Sequence, residues 1–200
     1  PMMHVVLLCF LPLWGMRRFR HPAFSAGCGQ FMCARSDAYR RAGGHAGIRR
    51  SRHDGVKLPA LFRKAGLCTD LVDVTRLASC RMYHNARETW SGLAKNATEG
   101  MGHPAAIGPF TVLLLGGQVL PFLLVAGLAA WPGAPTSCLA ASVAAAGMIW
   151  GMRSVCAVRF AHPWTGVLLH PVGVAVLVAV QWYALVLKAA GRGVAWKGRN

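Results

Sequence analysis

IGPFTVLLLGGQVLPFLLVAGLAAW, residues 107–131, carries no charged side chain. As a helix rising about 1.5 Å per residue, it is long enough to cross a hydrocarbon core roughly 30 Å thick. Pro121 predicts a kink, because proline has no N–H for the carbonyl four residues back. Pro135–Gly151 follows as a second uncharged run, short and rich in alanine. Between the two, Trp131-Pro132-Gly133-Ala134-Pro135 leaves room only for a tight hairpin. Thr165–Leu187 is a third apolar run, with Pro171 early in it and His170, Gln181, Trp182 and Tyr183 as its polar or interfacial points. A soluble helical core would show polar faces at helical spacing, and these runs show none. Residues 104–187 therefore read as about three transmembrane helices.

Charge is distributed to match. Residues 16–103 hold sixteen Lys/Arg and all six acids, whereas residues 104–187 hold only Arg153 and Arg159. Lys188, Arg192, Lys197 and Arg199 make residues 188–200 a basic tail. A basic domain beside apolar spans fits a cytoplasmic face next to anionic lipid. If that domain is cytoplasmic, a first span out and a second back leave Arg153 and Arg159 inside, as expected. A third full crossing would put the tail outside, against the charge bias, so the number of full spans stays open. Basic charge also suits nucleic acid, but no nucleic-acid motif accompanies it and the apolar runs fit that use poorly.

At the other end, Met2–Leu13 is apolar, too short to cross a bilayer alone, and followed by Arg17, Arg18, Arg20 and His21. Residues 1–19 read as an interfacial or partial membrane segment, the end of a span whose start is missing; a buried element of the soluble domain is the alternative. Beginning at Pro1, the chain is expected to be a piece of a longer one. Seven cysteines without a CxxC pair are neither a disulfide framework nor a zinc site, and they suit a reducing compartment.

Residues 20–103 alternate. Gly27-Cys28-Gly29 is a tight turn, and Gln30–Ala34 reads as a short strand. Ser36 or Asp37 can cap a helix that Gly43-Gly44 ends. After an Arg-rich loop, Asp54 starts a second helix, with Val56, Leu58, Leu61, Phe62 and Ala65 as its apolar face and Gly66 as its stop. Leu67–Val74 and Leu77–Tyr83 have strand character. Arg87–Met101 is amphipathic, with Trp90, Leu93, Ala94, Ala97 and Met101 on one face, and is expected at the interface. Among scarce acids, Asp54 is set in a field of Arg49, Arg50, Arg52 and Lys57. Such an acid is either a helix cap paired with Arg52 or Lys57, or a base in a site tuned for an anionic substrate. Gly27 and Gly29 let a backbone approach donor or acceptor, or simply make a turn. Gln30 could hydrogen-bond a sugar.

The ordered set AGCGQFMCARSDAY (26–39), Gly43-Gly44-His45, His53-Asp54-Gly55-Val56-Lys57-Leu58, Arg81-Met82-Tyr83 and Trp90-Ser91-Gly92-Leu93-Ala94-Lys95-Asn96 resembles the second half of a membrane-bound family 2 glycosyltransferase. The nearest group is the ceramide-glucosyltransferase-like one, which includes hopanoid- and carotenoid-associated enzymes; Trp196-Lys197-Gly198-Arg199 resembles tails in it. The likeness covers about residues 20–101, and the spans only by architecture. It implies an α/β fold: the C-terminal, acceptor-side part of a GT-A-like mixed-sheet domain, followed by transmembrane helices. It also implies a nucleotide-sugar donor, a lipid acceptor, and a divalent metal (Mg or Mn) whose ligands, with the Asp-x-Asp motif, lie mostly upstream.

In that family Asp54 matches the acid of a Glu-Asp or His-Asp pair that acts as general base. His53 would support Asp54 or the diphosphate, the alternative being a solvent-facing loop histidine. Trp90 would be the last residue of a (Gln/Arg)-x-x-Arg-Trp motif matched only in part, since Ala86 and Thr89 replace the polar members and Arg87 or Lys95 would supply the cation; the alternative is that Trp90 is a membrane-interface anchor. Other function classes remain: a non-catalytic membrane scaffold or remnant, and a small multi-pass transport component. Only His170 and Gln118 or Gln181 offer the intramembrane polar groups that a transporter needs.

Overall fold

A computed structural model of the chain describes residues 13–49, 51 and 53–192. Most of the apolar run Met2–Leu13, the arginines Arg50 and Arg52, and the tail motif Trp196–Arg199 lie outside the described residues. The described chain forms two compact units, divided between Met82 and Tyr83.

The first unit contains α1 (Leu13–Arg18), α2 (Ser36–Arg41) and α3 (Asp54–Lys64), with short 3-10 turns at Pro22–Phe24 and Gly44–Ile48. Among the described residues there is no strand; one isolated bridge, Cys28 to Phe31, closes the glycine turn. This overturns the expected α/β mixed-sheet domain. The physical reason lies in the segments read as strands. A strand is stabilised by a ladder to a neighbour, and the Gln30–Ala34 stretch pairs only through that turn. In the 67–83 stretch, short polar side chains occupy the backbone instead. The Asp70 carboxylate accepts from Leu71 N, and Asp73 Oδ1 accepts from both Thr75 N and Thr75 Oγ1. Such local turns compete with a ladder.

The buried side of α3 is Gly55, Leu58, Pro59, Phe62 and Arg63, spaced i, i+3, i+4, i+7, i+8. The stripe is rotated from the expected face, and Val56 is exposed. Arg63 sits in this stripe and is only 7% exposed. Its guanidinium donates to Met16 O (2.6 Å), Phe19 O (2.5 Å), His21 O (3.4 Å), Thr69 O (3.2 Å) and Thr69 Oγ1 (2.8 Å). One side chain thus satisfies carbonyls at the end of α1, in the following loop and in the turn after α3. Gly66, at φ 75°, ends α3 where the sequence places a stop.

The second unit holds α4 (Ala86–Ala97), α5 (Ile107–Gln118), α6 (Leu120–Ala130), α7 (Thr136–Arg159), α8 (Thr165–Leu168) and α9 (His170–Ala189). Asn85 and Glu88 cap α4 reciprocally: Asn85 Oδ1 accepts from Glu88 N, and Glu88 Oε2 from His84 N. The small residues Ala94, Ala97 and Ala184 let α4 pack closely on α9 around Val180. The amphipathic face read from the sequence is thus covered by a helix. A second core joins α5 to α9 through Leu114, Val174, Leu177 and Val178.

Two helices, α7 and α9, are long and apolar enough to cross a membrane; α5 and α6 add a third span if the bent pair counts as one. The 45° bend falls at Val119, two residues before Pro121, as the missing proline N–H requires. By these helices the chain has the make-up of a membrane protein. We expect it to stay with membranes through a high-salt wash, because burial of apolar spans outweighs surface charge attraction. Recovery in the soluble fraction without detergent would contradict this.

Candidate functional site

Asp54 is the first residue of α3, and its half-buried carboxylate sits against the glycine turn. A Cβ at Gly29 would collide with the Asp54 carboxylate, one at Gly27 would come 2.8 Å from Pro59 Cγ, and one at Gly55 would come 2.7 Å from Gly27 O. Three glycines therefore permit one close approach, and side chains at these positions would hold the turn off the helix. The approach is also hydrogen-bonded. Pro59 has no N–H, so the Gly55 carbonyl, four residues back, has no helical donor. Gly27 N–H donates to that carbonyl at 2.7 Å. A proline inside α3 thus creates the acceptor that fixes the turn over Asp54.

On Asp54 itself, Oδ1 accepts from Gly55 N–H at 2.8 Å. Among the described residues Oδ2 accepts no hydrogen bond, and no described cation lies within ion-pair distance; the ion pairs among the described residues include Arg17–Asp70 and Arg35–Asp37. The alternative of a cap paired to Lys57 therefore fails, and the pairing to Arg52 falls on a residue outside the described set. His53 precedes the helix as its N-cap, half-buried, with its backbone N–H on Ser51 Oγ at 3.0 Å and no capping bond from its ring. Gln30 is exposed on the turn, and its Oε1 accepts from the Cys28 thiol at 2.8 Å.

The structure brings together Gly27, Gly29 and Asp54, with His53 and Gln30 flanking them. Sequence reasoning overlooked Gly55 and Pro59; a proline five residues into a helix that starts Asp-Gly was the available signal. Trp90, Arg87 and Lys95 belong to the second unit, on α4. There the Trp90 ring meets Tyr183 edge-on at 5.5 Å, while Arg87 is exposed and Lys95 half-buried. Nearby, the Tyr83 ring packs on Gly92, and burial raises its phenol above the ordinary value. Among the described residues no three His, Cys, Asp or Glu side chains gather as metal ligands.

The glycine contacts predict an ordered response to alanine. Gly55→Ala meets a backbone oxygen that cannot swing away, and should cost about 1–3 kcal/mol despite alanine's better helix propensity. Gly29→Ala meets only a rotatable carboxylate, and should displace Asp54 with a smaller loss of stability. Thermal unfolding of both variants checks the order; equal losses would contradict it.

Compared with known proteins, the chain matches no protein-family model, no curated protein and no solved structure.

Proposed function

We propose that this chain is the acceptor-side portion of a membrane-bound family 2 glycosyltransferase, moving a sugar from a nucleotide-sugar donor to a lipid acceptor. Asp54 is its general base, and the Asp54 unit faces the cytoplasm. The observation that carries the reading is the seat of Asp54: a carboxylate anchored through Oδ1, whose Oδ2 accepts no hydrogen bond among the described residues, under a turn held close by its glycines. In the reaction the acceptor O–H gives its proton to Asp54 Oδ2. The oxygen bonds to the anomeric carbon as the bond to the diphosphate breaks, and the configuration inverts. Donor binding falls to the family's other half, upstream. The apolar helices supply the membrane at which a lipid acceptor is met.

The absence of a sheet among the described residues counts against the resemblance and favours a second reading, a non-catalytic membrane scaffold. Membranes containing the protein together with its upstream sequence separate the two. The enzyme transfers labelled sugar from a nucleotide sugar into lipid, and the 200-residue chain alone does not. A scaffold gives no transfer in either form.

A further inference from the structure

The helices of the second unit have a direction as well as a length. Near the start of α5, Thr111 Oγ1 accepts from Trp182 Nε1 at 3.0 Å. Further along, Leu114 packs among Val174, Leu177 and Val178, and at the end Gln118 Oε1 lies 3.0 Å from His170 Nε2. Positions on α9 fall as those on α5 rise, so the two helices are antiparallel. The later half of α9 meets α4, the helix that precedes α5, through Ala94, Ala97, Val180 and Ala184 and through the edge-on rings of Trp90 and Tyr183. The end of α9 therefore comes back to where α5 begins.

Three separate crossings require the opposite. Successive crossings alternate, so a first and a third run in the same direction. Here α5 and α6 run on through a 45° bend, the turn from Trp131 to Pro135 reverses the chain, and α7 packs back along α6. Thus α7 runs in the same general sense as α9. Between these two helices the chain turns back along α7. Ala161, at φ 51°, and the bond from His162 N–H to Ala157 O make the turn. Gly166 O then accepts from Arg153 Nη2 at 3.4 Å, and α8 packs on both α7 and α9. As a result α9 starts beside Gln118, at the break between α5 and α6.

We propose that the second unit crosses the membrane twice, not three times: outward through α5 and α6, and back through α7 and α9, which share one return leg broken at the depth of Val119. The end of α9 is then on the side from which α5 starts, and the 131–135 turn is on the other. Charge agrees, and it is independent of the contacts. The return places Lys188 and Arg192 on the entry side, while residues 104–152 carry no charged side chain, so the turn and its flanks are neutral. Cations gathered on one side satisfy the bias that a third crossing would break. They also add attraction for anionic headgroups of the leaflet that α5 enters. Breaks at membrane depth need polar partners within the protein, and the Gln118–His170 bond joins one break to the other. The inference does not depend on the role of Asp54.

The test uses the full chain in sealed vesicles, an amine reagent that does not cross lipid, and mass spectrometry of the lysines. Lys188, exposed near the end of α9, should be modified from the same side as Lys95 of α4 and protected from the other. The lysine of Gly133→Lys, in the exposed turn, should be modified only from the opposite side. Modification of Lys188 from the side that reaches position 133, or from the side opposite to Lys95, would overturn the proposal and restore three crossings. Should Gly133→Lys not fold, Lys95 and Lys188 of the unsubstituted chain decide alone. Should Lys95 not react, Lys188 and position 133 decide: opposite sides support two crossings, and a shared side refutes them.

Discussion

Asp54→Asn, in protein that includes the donor-binding half, should cut sugar transfer to lipid by roughly two to four orders of magnitude, the size of a general-base contribution. Asparagine keeps the shape of the side chain, and its amide oxygen can still accept from Gly55 N–H, as Asp54 Oδ1 does. It also serves as well as aspartate at a helix start. Fold and donor binding should therefore be unchanged, so the loss reports the missing proton acceptor. Near-normal transfer by Asp54→Asn would leave the carboxylate a packing group beneath Gly29.

Arg63→Leu should destabilise the first unit by about 3–5 kcal/mol, as expected when one partner of a buried, charge-assisted network is removed. Leucine fits the apolar stripe of α3 but leaves the carbonyls of Met16, Phe19, His21 and Thr69 without the donor they share. Amide hydrogen exchange across residues 54–64 reads the effect directly. Arg40→Leu, at an exposed position, should change exchange by no more than about 0.5 kcal/mol. If Arg63→Leu behaved like Arg40→Leu, Arg63 would not be the brace that joins α1 to α3. Arg63→Lys should fall between, because a point charge cannot address five acceptors in one plane.

Local signals were legible where they need no distant partner. Asp54 starts α3, Gly66 stops it, and the uncharged runs are helices broken where Pro121 requires; α2 begins at Ser36, but its N-cap is Arg35 with no side-chain capping bond, so neither Ser36 nor Asp37 is the expected cap. The strands were misread because strand character is a property of a pair. Leu67–Val74 has the composition of a strand, yet Asp70 and Asp73 spend their side chains on local backbone. Arg63 was hidden for a related reason. Periodicity places residues on a face, but only the carbonyls of Met16 and Phe19, far away in sequence, explain why a cation belongs on the buried one. At the site, Gly27, Gly29 and Asp54 were each visible. Their convergence was not, because it depends on a carbonyl that Pro59 leaves without its helical donor. Trp90 matched the family motif only in part, and its ring meets Tyr183 edge-on.

The most direct measurement is transfer itself. Membranes bearing the protein with its upstream sequence are incubated with labelled nucleotide sugars, and the extracted lipid is counted and its anomeric configuration determined. The account predicts label in a lipid product of inverted configuration from the unsubstituted protein, and its near-complete loss with Asp54→Asn. No lipid label from any nucleotide sugar, or label that persists in Asp54→Asn, would contradict it.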